Sequence, residues 1–141
     1  MDGVLVDFQS GIDRLNEELR EAYRDRYDEA PEIFSLMEPM PGGPEAFKTL
    51  SEHFDVYILT TAPWKNPTAL NDKLAWVKIH LGDYAHKRLI TTHHKNLNRG
   101  DFLIDDRTAN GAAEFTGQHI HFRTPEFPDW AAVLKYLMDR V

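Results

Sequence analysis

The stretch Met1-Asp2-Gly3-Val4-Leu5-Val6-Asp7-Phe8 decides how the rest of the chain is read. Gly3 permits a sharp turn with positive φ, and the apolar run Val4 to Val6 supplies a packed wall. The Asp2 carboxylate is therefore expected at a turn where a strand end passes into a loop. A carboxylate presented in this way is a candidate for chemistry, and each later segment is weighed by whether it serves that acid.

At 141 residues, 42% hydrophobic and 28% charged, the chain is long enough to bury a core without covalent staples, and it reads as one domain over residues 1–141. It holds no cysteine, which removes disulfides and thiolate zinc sites and suits a cytoplasmic location. No apolar run is long enough for a membrane span. A formal charge of −7 speaks against a nucleic-acid backbone as partner. It leaves a small phosphate open, since local donors and a metal overcome a net acidic surface.

Apolar residues Ile12, Leu15, Leu19, Tyr23 and Tyr27 recur at helical spacing and predict one amphipathic helix over residues 9 to 30, with its charged face in water. Prolines and glycines then mark a connector from Glu32 to Met40, in which Phe34 is either a core residue or an aromatic that stacks on a base. A helix from Pro44 to His53 leads to the apolar run Val56 to Thr61, the pattern of a strand buried on both faces. Thr60 at its end is either a good β residue or, with Thr61 and the neighbouring backbone N–H groups, a phosphate holder at the crevice where open α/β sheets bind ligands. Asn66-Pro67 opens a helix that Gly82 stops, with Lys73 at the edge of its packed stripe. Arg88 to Thr92 reads as a strand. The adjacent His93 and His94 point to opposite faces and make no metal clamp. A short helix is expected from Thr108 to Phe115, followed by a strand His119 to Phe122 and a C-terminal helix around Trp130, Val133, Leu134 and Leu137. His119 and His121 share one face of that strand, open to a metal or to a structural role.

Asp101-Phe102-Leu103-Ile104-Asp105-Asp106-Arg107 carries the second acidic signal. An apolar strand that delivers two adjacent carboxylates to its end needs something to compensate their charge. Mg²⁺ takes its oxygens from one or two carboxylates, waters and a substrate phosphate, which makes Asp105 and Asp106 candidate ligands. Asp106 could instead cap the next helix and pair with Arg107.

Strand and helix alternate from residue 44 onward, the signature of an α/β sheet with right-handed crossovers. Thr60, Lys95, Asp105 and Asp106 all follow strands and should meet along one edge. Asp2-Gly3-Val4-Leu5-Val6-Asp7-Phe8, Asp72-Lys73-Leu74-Ala75-Trp76-Val77 and Leu103-Ile104-Asp105-Asp106-Arg107, in this order, resemble the 5′(3′)-deoxyribonucleotidase branch (the cytosolic type C 5′-nucleotidases) of the haloacid dehalogenase superfamily. The resemblance implies a Rossmann-like three-layer α/β/α fold with a parallel sheet, and a reduced helical cap over residues 9–40. It implies a Mg²⁺-dependent phosphatase acting on nucleoside 5′-monophosphates, with pyrimidine deoxyribonucleotides expected, through an aspartyl-phosphate. Asp2 would be the acid/base, with its backbone carbonyl on the metal beside Asp105 and Asp106. Thr60, Lys73 and Lys95 would hold the phosphoryl group, and Phe34 and Trp64 would wall the base. The family's nucleophile, an Asp two residues before Asp2, and the strand that bears it are not among these residues. Two expectations follow: either the true start lies upstream, or the chain is an inactive nucleotide-binding relative. On both, residues 1–141 alone have little phosphatase activity.

Overall fold

The computed structural model describes residues 1–141. Met1 to Val6 is a tight turn in which the N–H groups of Val4, Leu5 and Val6 all donate to the Met1 carbonyl. It leads into β1 (Val6–Asp7), which pairs antiparallel with β2 (Glu38–Pro39). Between them lie α1 (Phe8–Arg14) and α2 (Glu17–Ala22), followed by 3-10 turns at Tyr27–Glu29 and Ile33–Ser35. The single helix expected over residues 9 to 30 is thus two. Leu15 goes extended and buries its side chain, and the Asn16 side chain takes the Leu19 N–H to start a new helix, a cap that outcompetes continuation.

Gly42, in the left-handed region, opens α3 (Gly43–Ser51), with Pro44 in its first turn. β3 (Ile58–Thr60) follows, then α4 (Ala69–Leu81), ended by Gly82. β4 (Leu89–Thr91) pairs parallel with β3, and β5 (Phe102–Asp105) pairs parallel with β6 (Gln118–His121). α5 (Trp130–Met138) closes the chain, capped by Asp129. The expected helix over 108 to 115 is only a 3-10 turn at Ala112–Glu114. Asn110 and Gly111 both take positive φ just before it, which breaks any helix that Thr108 could begin.

The class is α/β, but the strands do not form the single parallel sheet expected of them. They form three separate pairs. β3 is bonded only to β4 and β5 only to β6, and their free edges border an apolar slot of about 540 Å³. Ile58 and Leu59 line it from β3, Leu103 and Ile104 from β5, with Met1 and Leu5 also in its wall. One apolar cluster runs through the molecule from Met1 to Leu137. Trp130 of α5 anchors the opening turn to it by donating its indole N–H to the Val4 carbonyl (2.7 Å).

Candidate active site

β3 carries Thr60 to the floor of an open cleft of about 1330 Å³, whose wall includes Asp2, Lys95, Asp105 and Asp106. The centre of the site is Lys73. It sits on α4 with no exposed surface, far from the surface position that a helical lysine usually takes. Its ammonium donates to Asp2 Oδ2 (2.9 Å), Thr60 Oγ1 (2.8 Å) and the Thr61 carbonyl (2.8 Å), so all three N–H bonds are engaged. The Phe34 ring lies beneath it, 4.4 Å from Nζ to the centroid.

Phe34 is 2% exposed and packs edge-on against Phe8. Of the two roles the sequence left open, the core one takes most of the ring, which also underlies Lys73, while an edge of Phe34 still lines the cleft. Trp64 is the opposite case, 90% exposed at the rim and edge-on to His93. Thr61 lines the cleft, but its hydroxyl proton goes to the Thr92 carbonyl (2.7 Å), leaving it only oxygen lone pairs to offer there.

The end of β5 forms the other wall. Asp105 is 4% exposed; its Oδ2 accepts from Lys95 Nζ (2.5 Å) and its Oδ1 from the Arg107 N–H (3.0 Å). Burial alone would raise its pKa, but the hydrogen bond and charge of Lys95, with the Arg107 N–H, outweigh that and hold it below the ordinary carboxylate value. Asp106 makes no close ion pair, and the N-terminal and Arg107 charges only partly offset what raises its pKa. Burial first, and the Asp105 charge second, push its pKa up. Gly3 takes φ of +75°, and a Cβ there would stand 2.1 Å from Asp106 Oδ2. Only glycine lets the opening turn lie against the acid pair, and no pattern in the sequence announced that contact.

These donors suit a hard divalent ion. Asp106 is a raised, unpaired carboxylate at the end of a strand, and Asp2 Oδ1 is a buried oxygen without any partner. No three His, Cys, Asp or Glu side chains gather closely enough to cage an ion by themselves. Mg²⁺ does not need that, since it keeps waters and takes phosphate oxygens.

Sequence reasoning missed Asn66. Expected as a helix cap, it is instead 7% exposed, with its amide donating to the Asp28 and Ala30 carbonyls (2.8 and 2.9 Å) and its oxygen accepting from the Thr68 N–H (3.0 Å). With Thr68 Oγ1 accepting the Glu32 N–H (2.7 Å), it ties the segment after α2 to the start of α4.

Residues 12–129 match the family model described as 5′ nucleotidase, deoxy (pyrimidine), cytosolic type C protein. A Vibrio phage KVP40 protein carrying the provisional name 5′(3′)-deoxyribonucleotidase is 60% identical over 137 residues, covering 97% of this chain and 81% of its own. The human 5′(3′)-deoxyribonucleotidase, cytosolic type, is 35% identical over 153 residues, 86% of this chain and 76% of its own. A Bordetella pertussis protein with the same provisional name is 35% identical over 150 residues, covering 88% of this chain and 81% of its own. The chain belongs to the cytosolic type C 5′-nucleotidase family, a family of phosphate-ester hydrolases.

Proposed function

We propose that this chain carries the site of a Mg²⁺-dependent phosphatase for nucleoside 5′-monophosphates, with pyrimidine deoxyribonucleotides as its substrates, working in the cytoplasm on small molecules and not on nucleic acid. The observation that carries the reading is convergence. Asp2, Thr60 and Lys73 share one hydrogen-bond cluster, and Lys95 and Asp105 form a second in the same cleft.

Lys73 and Thr60 face the phosphoryl oxygens, which replace one of the acceptors that Lys73 now uses, and Lys95 assists from the other wall. Asp105, Asp106 and the Asp2 carbonyl are the oxygens that would hold Mg²⁺. Bound there, Mg²⁺ neutralises charge that develops on the phosphoryl group. Asp2 would protonate the departing ribose oxygen, then take a proton from the water that hydrolyses the aspartyl-phosphate. The nucleoside rests against Trp64 at the rim, under the reduced cap of residues 9–40.

The attacking carboxylate is assigned to a strand seated in the apolar slot. Two parallel strand edges face that slot unpaired, and Met1 lines both the slot and the cleft. A strand joined to Met1 would bond to β3 and β5, complete the parallel sheet of a three-layer fold, and bring its last residue to the cleft. Phosphate release from a panel of nucleoside 5′-monophosphates, with Mg²⁺ and with EDTA, tests the assignment in a form that carries such a strand ending in Asp. Lys73→Met should lower kcat by at least about a hundredfold, since it removes a charge aimed at the transferring group. Undiminished turnover in that variant would rule the cluster out as the phosphoryl site.

A further inference from the structure

β5 reaches the cleft with a neighbour on one side only, and it ends in two like charges. Lys95 answers the Asp105 charge, but the backbone that aims the two carboxylates needs a hold of its own. The main-chain ladder with β6 stops at Asp105, whose carbonyl accepts the Phe122 N–H at 3.0 Å. Two side chains from β6 carry the grip further. His119 Nε2 lies 3.1 Å from that same Asp105 carbonyl, and His121 Nε2 lies 3.1 Å from the Asp106 carbonyl, which has no backbone donor. The two rings stack, with centroids 5.0 Å apart and planes 21° from parallel. The two-residue period of β6 puts both histidines on one face, while Ile120 and Phe122 go into the core.

We infer that His119 and His121 are positioning residues for the divalent-ion site, a stacked pair of imidazole struts that fixes the backbone of Asp105 and Asp106 and thereby the aim of their carboxylates. This rests on the Mg²⁺ reading above and extends it to residues that touch neither ion nor substrate. A carbonyl oxygen can only accept, so each imidazole donates from a protonated Nε2. In the sequence-based alternative in which the pair itself binds a metal, only the Nδ1 atoms are left to do so, since both Nε2 atoms are turned to the carbonyls. Groups that orient carboxylate ligands change metal affinity by about ten- to a hundredfold when lost.

The test uses Mn²⁺ as the probe, with its dissociation constant read by electron paramagnetic resonance and Mg²⁺ as competitor. His119→Phe with His121→Phe keeps two stacked rings and removes both N–H donors. His119→Gln with His121→Gln puts an amide N–H near the former Nε2 position. The Phe pair should weaken Mn²⁺ binding at least about tenfold with an unchanged circular dichroism spectrum, and the Gln pair should recover most of the loss. Equal affinity in the unsubstituted chain and the Phe pair, or a Gln pair as weak as the Phe pair, would overturn the inference. An unsubstituted chain that binds Mn²⁺ no better than one with Asp105→Asn and Asp106→Asn would overturn the Mg²⁺ reading itself. Imidazole ¹⁵N spectra of the unsubstituted chain give a check that needs no variant. Both rings should show a protonated Nε2, and an Nε2 without a proton on either ring would overturn the inference.

Discussion

Asp105 and Asp106 are neighbours in sequence and opposites in environment. Asp105 is held low by Lys95, so its folded-state contribution to stability is present above the ordinary carboxylate value and is lost as pH falls through its lowered pKa. Asp106 is raised by burial and by Asp105, so folding favours its protonated form. Its relative stabilisation is present below the ordinary value and is lost as pH rises through the raised one. Removing each charge should therefore move ion-free stability in opposite directions. Asp105→Asn leaves Lys95 buried without its partner and should cost about 3 kcal/mol in urea denaturation at pH 7. Asp106→Asn should raise the thermal midpoint, and the gain should vanish when Mg²⁺ saturates the unsubstituted chain. A fall in both variants would show that Asp106 is already compensated within the protein. Gly3→Ala combines a left-handed φ with a clash on Asp106, and should abolish Mg²⁺ binding even where the protein still folds. Much of this site was legible as residue types: an acid before Gly3, a Thr ending β3, two acids ending β5. The burial of Lys73 was not, because a lone helical lysine reads as a surface residue until its three acceptors are in view.

Elements were legible where apolar spacing dictated them and obscure where a side chain overrode spacing. α3, α4 and α5 and the four strands β3 to β6 fall where the pattern put them, to within a few residues. The break at Asn16 and the loss of the 108–115 helix came from a cap and from positive φ, both of which compete with helix locally and leave hydrophobic period untouched. Asn66 shows the same limit in reverse. Its place before α4 suggested a cap, yet its amide serves carbonyls 36 and 38 residues away. Asn66→Ala strands the Asp28 carbonyl, leaves the Ala30 carbonyl with the Ile33 N–H alone, and should cost about 2 kcal/mol. Hydrogen exchange at residues 28 to 32 should quicken well before the global rate changes. Uniform quickening across the chain would mean that Asn66 supports the whole core and not this segment. Phe34→Ala belongs to the core and should cost about 3 to 5 kcal/mol. A loss confined to nucleotide KM, with stability kept, would return Phe34 to the base-binding wall.

For the whole molecule, the open question is the slot between β3 and β5. Two facing strand edges and an apolar lining are the features that recruit another strand. The sequence pointed there indirectly, through the family nucleophile that precedes the resemblance, whereas the slot itself became visible only when the strand pairs were seen apart. The most direct measurement compares phosphate release from pyrimidine deoxyribonucleoside 5′-monophosphates, in Mg²⁺, by residues 1–141 and by a form with five apolar β residues and an Asp joined ahead of Met1. The extended form should turn over, lose activity in EDTA and gain thermal stability, while residues 1–141 alone release little phosphate. Equal Mg²⁺-dependent turnover by both forms would contradict the slot as the source of the nucleophile and would place the attacking group among residues 1–141.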